Sequence, residues 1–388
     1  MSDKKKLITG ILIGVCIALG FFVTLVATNY ANLGRAFEIA FLIKSESMKP
    51  VDTLQLVDGA MKGMVESLKD PYAVYLPPKE FQSLETHLKG AYGGVGLYVG
   101  MSEGNKLTVM SPIKGTPAFK AGIKSGDIIV KIDGKSTQGI DIDKAVSWMK
   151  GDPDTKVTVS MQRGKTASLI DFVLTREVIK IPSVEGKILE GLPDIAYISI
   201  SMFNDNTGKE LGAVWEELKK KSPKALVLDL RNNPGGSLQT AVEVGGFFVP
   251  KDKPVVWLVE KHQEQAFPSS GNLIGLPLAL LINKGSASAS EIVSGAIKDL
   301  KLGTIIGETS YGKGIVQSIF DLNGGAALKI TTAQYLTPNK NDIHKKGIKP
   351  DIEVKIPENA KTQFILADPK KDIQLQKAIE VLNGKIKK

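Results

Sequence analysis

Three serines alternate in the segment NKGSASASEI, between an apolar stretch and a helical pattern: Ser286, Ser288 and Ser290. A serine on a sharp turn from a strand into a helix can expose its hydroxyl as a nucleophile, and the amides at the helix start can stabilise an oxyanion. Serine is also a preferred N-terminal cap, so the segment taken alone is better explained as a helix cap. A nucleophilic role requires a base elsewhere in the chain.

The three histidines of the chain have no motif around them that would make one of them this base. We interpret His87, His262 and His344 as surface residues, because they lie in polar segments. A lysine can replace histidine when burial keeps it neutral. Lys313 lies between two glycines and precedes apolar residues, so it is the candidate base.

The segment around Lys313, GETSYGKGIVQ, also has the glycine and lysine spacing of a phosphate-binding loop. Such a loop needs a Ser or Thr after the lysine to reach Mg²⁺, and a helix whose first amides face the phosphates. Position 314 is glycine, and the alternation of Ile315, Gln317 and Ile319 predicts a strand. The sequence therefore predicts no nucleotide at this loop.

The composition is that of a globular chain with more than one domain. The chain has 388 residues, of which 43% are hydrophobic and 23% are charged. The net charge of +9 comes from 50 basic residues scattered among 41 acidic ones, without a basic stripe that carries aromatic residues. This pattern does not favour binding to nucleic acid.

Residues 7–27 contain no charged residue and follow three lysines, as expected for a helix that spans a membrane. A cleaved signal peptide is the alternative, but LVATNYA is a poor cleavage site. We therefore predict a single-pass anchor in the inner (cytoplasmic) membrane, with the catalytic part on the periplasmic, extracytoplasmic side. The only cysteine, Cys16, lies in this segment, so the exported part has no disulfide; we predict no metal and no cofactor.

Two later regions differ in their patterns. Short strands and turns follow one another between 91 and 178, whereas strands alternate with helices between 179 and 355, which predicts an α/β layer fold. Before them, the residues from 52 to 69 predict an amphipathic helix with Asp52 as its N-cap and Pro71 after its end. The apolar face of this helix could form a homodimer contact.

The stretch from Tyr92 to Leu97, YGGVGL, resembles the carboxylate-binding loop of a PDZ domain in the circularly permuted bacterial form. The run SPIKGTPAFKAGIKSGDIIVKIDG resembles the middle of such a domain. Consecutive N–H groups of the loop would bind a terminal carboxylate, and the next strand would accept the peptide as an added strand. The predicted peptide-binding residues are Gly93, Gly94, Val95, Gly96 and Leu97.

Taken together, NKGSASASEI, GETSYGKGIVQ and LRNNPGG, with the PDZ-like region and the helix VDGAMKGMVESLKDPYAVYL, resemble the carboxyl-terminal processing peptidases, or tail-specific proteases. The resemblance covers about residues 50–355 and implies a crotonase-like and Clp-protease-like layered core. It implies that Ser288 is the nucleophile, Lys313 the general base and Gln317 the polar partner of the base. In an extended strand, residues 313 and 317 would lie roughly 13 Å apart, so contact needs a bend or side chains that lean together.

The resemblance also implies an oxyanion hole formed by the amide of Ala289 and by the amide of Gly235 or Gly236.

The expected activity is that of a serine endopeptidase that binds C-terminal tails of exported proteins and cleaves near them. A PDZ adaptor without proteolysis and a crotonase-like acyl-CoA enzyme are the alternatives. The predicted parts are the lysine cluster and anchor, a helical region, the PDZ domain, the protease core and a helical tail, at 1–28, 29–90, 91–178, 179–355 and 356–388.

Overall fold

The computed structural model describes Ile17, Gly20 and residues 34–102, 104–164, 168–180, 182–356 and 367–386. Within these ranges, no helix combines the length and the apolar character needed to cross a membrane. The anchor predicted at 7–27 lies outside the described residues, apart from Ile17 and Gly20.

The chain up to Pro77 forms one compact unit. It contains helix α1 over 34–46, helix α2 (Thr53–Glu66) and strand β1 (Val74–Leu76). Asp52 precedes α2 with extended backbone, as predicted for an N-cap, but its side chain makes no capping hydrogen bond. No residue of α2 is buried within this chain.

The chain from Pro78 onward forms a second unit, which begins with a helix and a small β domain. Five strands of this domain form an antiparallel sheet in the order β3-β4-β5-β7-β8, and β2 pairs with β9. The elements are α3 (Pro78–Lys89), β2 (Ala91–Gly94), β3 (Leu97–Ser102), β4 (Lys106–Pro112), α4 (Pro117–Lys120), β5 (Ile128–Ile132), β6 (Lys135–Ser136), α5 (Ile142–Met149), β7 (Lys156–Gln162), β8 (Leu169–Thr175) and β9 (Glu177–Lys180).

The rest of this unit alternates strands and helices, as the sequence predicts. Its first sheet has the order β10-β11-β12-β15-β16-β19, with β10 antiparallel and the other strands parallel; in a second sheet β18 pairs with β13 and β17, and β13 with β14. The elements are β10 (Val184–Leu189), β11 (Leu192–Ile200), α6 (Thr207–Lys219), β12 (Ala225–Asp229), α7 (Leu238–Gly245), β13 (Pro254–Glu260), β14 (Glu264–Pro268), β15 (Leu278–Ile282), α8 (Ala289–Asp299), β16 (Thr304–Gly307), β17 (Ile315–Asp321), β18 (Ala327–Leu336), β19 (Ile352–Glu353) and α9 (Ile373–Ile386).

The parallel sheet is covered on both faces. Alternate residues of a strand point to opposite faces, and β12 is buried along its whole length. Leu226 and Leu228 belong to the apolar cluster that includes α6, α7 and α8, whereas Val227 belongs to a second cluster with Leu375 of α9. The helix predicted for the C-terminal tail is present, and it forms part of the core through its buried apolar residues, which the polar composition of the tail did not indicate.

Three loops leave this sheet at the carboxyl ends of neighbouring parallel strands. The segment LRNNPGG follows β12, the serine segment follows β15, and the lysine segment follows β16. Because parallel strands place their carboxyl ends at one edge of the sheet, the topology brings these loops together.

Candidate active site

Ser288 lies on a strained turn directly before α8. Its backbone has φ 54° and ψ −114°, a conformation that residues other than glycine rarely adopt. Its N–H donates to Oε2 of Glu291 at 2.9 Å, and its carbonyl accepts the hydroxyl of Tyr335 at 3.1 Å. The same carbonyl also accepts the N–H groups of Glu291 and Ile292, at 2.7 and 3.0 Å, so hydrogen bonds on both sides of Ser288 hold this conformation.

The other two serines of the segment have buried structural contacts. Ser286 and Ser290 are both fully buried. The Ser286 hydroxyl donates to the carbonyl of Leu230 at 2.7 Å, and that of Ser290 donates to the carbonyl of Asn233 at 3.0 Å. They fasten the turn to the loop after β12, whereas Ser288 lines a cavity of about 560 Å³.

Lys313 and Gln317 line the same cavity as Ser288. Lys313 lies just before β17, and its glycine neighbours are required by close packing. Gly312 has φ 89°, and a Cβ on Gly314 would come within 2.8 Å of the backbone nitrogen of His344. The loop therefore packs against the chain at 344 and presents Lys313, which is half-buried, to the cavity.

A β-bulge interrupts β17 next to Gln317. Val316 pairs with Ala333, but Gln317 pairs with Thr331, so the register shifts between the two. A bulge redirects side chains, and Ile315, Val316 and Gln317 all line the cavity. The simple alternation expected for this strand is therefore wrong at this point. The buried Nε2 atom of Gln317 makes no hydrogen bond within the described part of the chain.

Glu291 connects the serine turn with the lysine loop. Its side chain is fully buried, and besides Ser288 N–H it accepts the N–H of Gly312 at 2.6 Å, the N–H of Lys313 at 2.8 Å and the hydroxyl of Ser310 at 2.6 Å. The Ser-x-x-Glu spacing is a capping signal, but it gives no indication of the contacts with the other loop.

The two glycines of the PGG turn differ in their amides. The N–H of Gly235 donates to Oδ1 of Asn233 at 2.8 Å, so it is already bonded. Gly236 lines the cavity, and its N–H makes no hydrogen bond within the described ranges. A Cβ on Gly235 would lie 2.8 Å from the nitrogen of Ala289, so the turn lies against the amide at the start of α8. Of the two glycines, Gly236 is therefore the one whose N–H is not already bonded within the described residues.

Tyr335 lies between the two loops and is almost fully buried. Its backbone N–H donates to the carbonyl of Gly314 at 3.0 Å, while its hydroxyl reaches Ser288. Burial, with a smaller contribution from the negative charge of Glu291, raises the pKa of Tyr335 well above its ordinary value. The phenol therefore stays protonated and donates.

A buried ionic network surrounds Arg231, three residues before the PGG turn. Arg231 bonds in bidentate fashion to Asp229, at 2.5 and 2.9 Å, and to Asp372, at 2.6 and 2.9 Å. Burial would lower the pKa of Arg231, but the bonds to the two carboxylates outweigh it and raise the pKa. Arg231 belongs to the motif LRNNPGG, but its partner Asp372 is 141 residues away in the chain and could not be assigned from the sequence.

The predicted peptide-binding loop joins two parts of the PDZ-like domain. Gly93 and Gly94 lie in β2, Val95 is buried in the domain core, and Leu97 opens β3 at an edge of the sheet. A Cβ on Gly96 would lie 2.3 Å from Thr116, and its φ is 79°, so this position requires glycine. An edge strand after a glycine loop is a suitable place for an added peptide strand.

The layered α/β fold, the strained serine turn and the appended β domain define a serine hydrolase with a PDZ-like module. Family models agree with this class. Residues 194–354 match peptidase family S41, residues 108–163 match the PDZ domain, and residues 25–79 match the N-terminal domain of the activating protease CtpB.

Relatives that align with most of this chain identify the family. The chain is 35% identical to the carboxy-terminal processing protease CtpA of Bacillus subtilis, over 88% of this chain and 72% of that protein. It is 35% identical to a carboxyl-terminal-processing protease of Synechocystis, over 84% and 76%. The solved photosystem II D1 C-terminal processing protease aligns with a TM-score of 0.50 and 30% identity, over 86% of this chain and 89% of that one. The chain belongs to the carboxy-terminal processing proteases of peptidase family S41 and is a serine protease.

Proposed function

We propose that this protein is a membrane-anchored endopeptidase that cleaves exported proteins near their C-termini with Ser288 as nucleophile and Lys313 as base. The observation that carries this proposal is the common cavity of Ser288, Lys313 and Gln317, whose two loops are bridged by Glu291. Such a constellation of nucleophile, base and orienting group is what acyl transfer requires.

The reaction follows from these positions. Lys313 Nζ accepts the proton of the Ser288 hydroxyl as Oγ attacks the peptide carbonyl, and the N–H groups of Ala289 and Gly236 donate to the oxyanion. Lys313 then gives the proton to the leaving amine, which leaves an acyl-enzyme. Water gives a proton to Lys313 as its oxygen attacks the ester carbonyl, and Lys313 returns this proton to Oγ of Ser288 as the ester bond breaks, which releases the new carboxyl terminus and restores both residues. Gln317 holds the lysine amine in line with Oγ.

Recognition of the substrate involves the PDZ domain. The loop from Gly93 to Leu97 would bind the free carboxylate of a tail, and β3 would pair with the residues before it. We further propose that the segment 7–27 anchors the protein in the cytoplasmic membrane, so that the site faces the extracytoplasmic side. The uncharged length and the lysines that precede it support this topology.

The test is cleavage of an unstructured peptide with an apolar C-terminus by the full chain, with products identified by mass. We expect Ser288→Ala to abolish cleavage and to retain tail binding, because the change removes one hydroxyl from a cavity wall. Ser290→Ala, a matched change two residues away, should lose stability but keep cleavage. A Ser288→Ala variant as active as wild type would exclude the proposed nucleophile, and wild type that binds tails without cutting them would favour the adaptor.

The base is tested by Lys313→Arg. A guanidinium keeps its charge and cannot accept the proton, so this variant should be as inactive as Lys313→Ala. Wild-type activity should rise with pH as Lys313 loses its proton.

Membrane attachment is tested separately by fractionation: deletion of residues 1–28 should move the active protein from the membrane to the soluble fraction, and continued membrane association would contradict the anchor.

A further inference from the structure

Helix α3 forms one side of the cavity that contains Ser288. Phe81, Leu84 and Leu88 line this cavity, and their spacing places them on one face of the helix. From residue 80 onward, α3 lies outside the segments matched by the family models, so those models assign these side chains no role. We propose that this face and the edge of β17 bind the substrate as an extended strand, and that Leu84 and Leu88 select two of its side chains; this rests on the proposed function.

Helix α3 begins where β17 ends. Strand β17 follows Lys313 and ends at Asp321, before the turn that leads into β18. A Cβ on Gly325, in this turn, would lie 3.8 Å from the Cβ of Pro78, the first residue of α3. The start of α3 is therefore at the end of β17 that lies opposite Lys313.

The other end of α3 is held near the serine turn. The carbonyl of Leu88 accepts the N–H of Asp205 at 3.0 Å. Two residues before Asp205, the N–H of Phe203 donates to the carbonyl of Gly235 at 2.8 Å. A Cβ on Gly235 would in turn lie 2.8 Å from the Cβ of Ser288. Helix α3 therefore runs along the cavity in the direction opposite to β17, with Leu88 at the end where Ser288 lies.

Strand β17 has an unpaired edge beside this cavity. Among the described strands it pairs with β18 alone, and the backbone groups of residues 315–321 make no hydrogen bond outside that pairing within the described ranges. Residues along the whole strand line the cavity: Ile315, Val316, Gln317, Ile319 and Asp321. An edge strand leaves a row of N–H and C=O groups that an extended peptide can pair with.

The direction of β17 determines which part of the substrate lies along it. Antiparallel pairing is the more stable arrangement per residue. Because β17 runs away from Lys313, an antiparallel peptide runs toward Ser288, so its residues on β17 precede the scissile bond. The 7 residues of β17 span roughly 20 Å, which accommodates about five or six peptide residues.

The spacing of the two leucines matches the repeat of such a strand. Leu84 and Leu88 are four positions apart, which is about 6 Å along a helix axis. Side chains on one face of an extended peptide are two residues and roughly 7 Å apart. Since Leu88 lies at the Ser288 end, it contacts a side chain near the scissile bond, and Leu84 contacts the side chain two residues before that one.

The experiment compares wild type, Leu84→Ala and Leu88→Ala on peptides in which alanine, leucine or tryptophan replaces each of the five residues before the scissile bond. A difference of one methylene in an apolar pocket changes kcat/KM about tenfold or more. We expect each variant to raise the preference for tryptophan over leucine about tenfold at one position. The position changed by Leu84→Ala should lie two residues farther from the scissile bond than the position changed by Leu88→Ala.

The matched control is Gln82→Ala, because Gln82 is an exposed residue of α3 that is not among the residues lining the cavity, and this change should leave every preference as in wild type. Shifts at the same position, at adjacent positions or after the scissile bond, or no shift at all, would overturn the proposal. If an alanine variant does not fold, Leu84→Phe and Leu88→Phe test the same contacts in the opposite direction. They should favour alanine over leucine at the same two positions.

Strand pairing is tested on the substrate itself. N-methylation removes one backbone donor, and in an antiparallel pair only alternate N–H groups point toward the partner strand. We expect N-methylation before the scissile bond to lower kcat/KM about fivefold or more at alternate positions and less at the positions between them. Equal effects at consecutive positions would overturn the pairing with β17.

The result can be separated from a failure of the proposed function. If Ser288→Ala cleaves as well as wild type, the proposed nucleophile fails, while the preferences of the α3 variants still test the groove. If wild type cleaves none of the peptides, the affinities of the same peptides for the same variants carry the test. If cleavage depends on Ser288 and no preference shifts, only the role of α3 fails.

Discussion

At the scale of single residues, one buried carboxylate connects the two chemical groups. Glu291 takes four hydrogen bonds, from Ser288, Ser310, Gly312 and Lys313, and thereby joins the helix start to the lysine loop. Bonds to a charged acceptor are stronger than neutral ones. The distance between Ser288 and Lys313, the proposed nucleophile and base, therefore depends on a residue that does not need to take part in proton transfer.

We predict that Glu291→Gln lowers kcat strongly and reduces the free energy of unfolding by about 1.5–3 kcal/mol. The amide of glutamine has one acceptor oxygen, and its NH₂ group would face the N–H and hydroxyl groups that now donate to the second carboxylate oxygen. Peptide cleavage and urea unfolding measure the two effects. Glu210→Gln is the control, because Glu210 also accepts the N–H and hydroxyl of Ser183 at a helix start. It should lose stability and keep kcat. A Glu291→Gln variant with normal kcat would contradict the positioning role.

At the scale of elements, helix α9 is fastened to the sheet by the buried pair of Arg231 and Asp372, whose side chains are both completely buried. Apolar residues of α9 cover the sheet face opposite α8, and the pair reaches the strand end that leads to the PGG turn. The C-terminal segment therefore contacts the residues that lead to the PGG turn, although it lies outside the residues matched by the peptidase family model.

We predict that Asp372→Ala destabilises the protein by about 3–5 kcal/mol, because it leaves the arginine buried with part of its charge uncompensated. Thermal or urea unfolding of the full chain measures the loss. Glu380→Ala is the control on the same helix, since Glu380 forms an exposed pair with Lys377 and such pairs contribute little. Equal effects of the two changes would show that the network does not hold the helix.

The PDZ domain contains a second ionic contact with a testable pH dependence. Burial would raise the pKa of Asp127, but the bidentate bond from Arg163, at 2.7 Å, and the N–H of Lys124, at 2.8 Å, outweigh it and lower the pKa. The carboxylate therefore stabilises the folded domain above its unfolded pKa of about 3.9, and this contribution disappears as the pH falls through the folded pKa.

We predict that Asp127→Asn is less stable than wild type at neutral pH and that the difference narrows below about pH 4. Urea unfolding followed by amide hydrogen exchange in β5 and β7 reports on this domain. A difference that stays constant down to acidic pH would show that the charge of Asp127 does not contribute.

At the scale of the whole molecule, the proposed sites of recognition and cleavage lie on separate parts of the chain. The predicted peptide-binding loop lies between β2 and β3, whereas the cavity lined by Ser288 and Lys313 lies at the carboxyl ends of β12, β15 and β16. If the proposed function holds, a substrate with a free C-terminus uses both places, whereas an internal peptide uses only the second. Tail-bearing proteins should therefore depend on the loop more than short peptides do.

We predict that amidation of a protein substrate's C-terminus lowers kcat/KM for that substrate, because it removes a charge-assisted contact worth about 1.5–3 kcal/mol. The measurement compares free and amidated versions of one protein, with a short peptide cleaved at the same sequence as control. Equal cleavage of the free and amidated proteins would remove the loop from recognition.

The amino-acid sequence by itself determined what depends on local pattern and turn chemistry. The alternation of strands and helices between 179 and 355 predicted the α/β layers, and the structure confirms that alternation and the strand predicted after Lys313, which is β17. The alternation after Gly314 predicted a strand where a phosphate loop would need a helix, and the structure has strand β17 there. Such features are encoded by neighbours in the chain, so they can be inferred before any fold is known.

Tertiary structure decided the contacts between loops that are distant in sequence. The order of the strands in the sheet places Glu291 against the lysine loop and brings Asp372 to Arg231. Within the described part of the chain, the folded turn also uses the N–H of Gly235 in a hydrogen bond to Asn233, but not the N–H of Gly236. The bulge before Gln317 depends on how β17 pairs with β18. Helix α9 is buried because it packs on the face of the parallel sheet that α6, α7 and α8 do not cover. These contacts depend on which strands are neighbours in the sheets, and no local periodicity of the sequence specifies that spatial order.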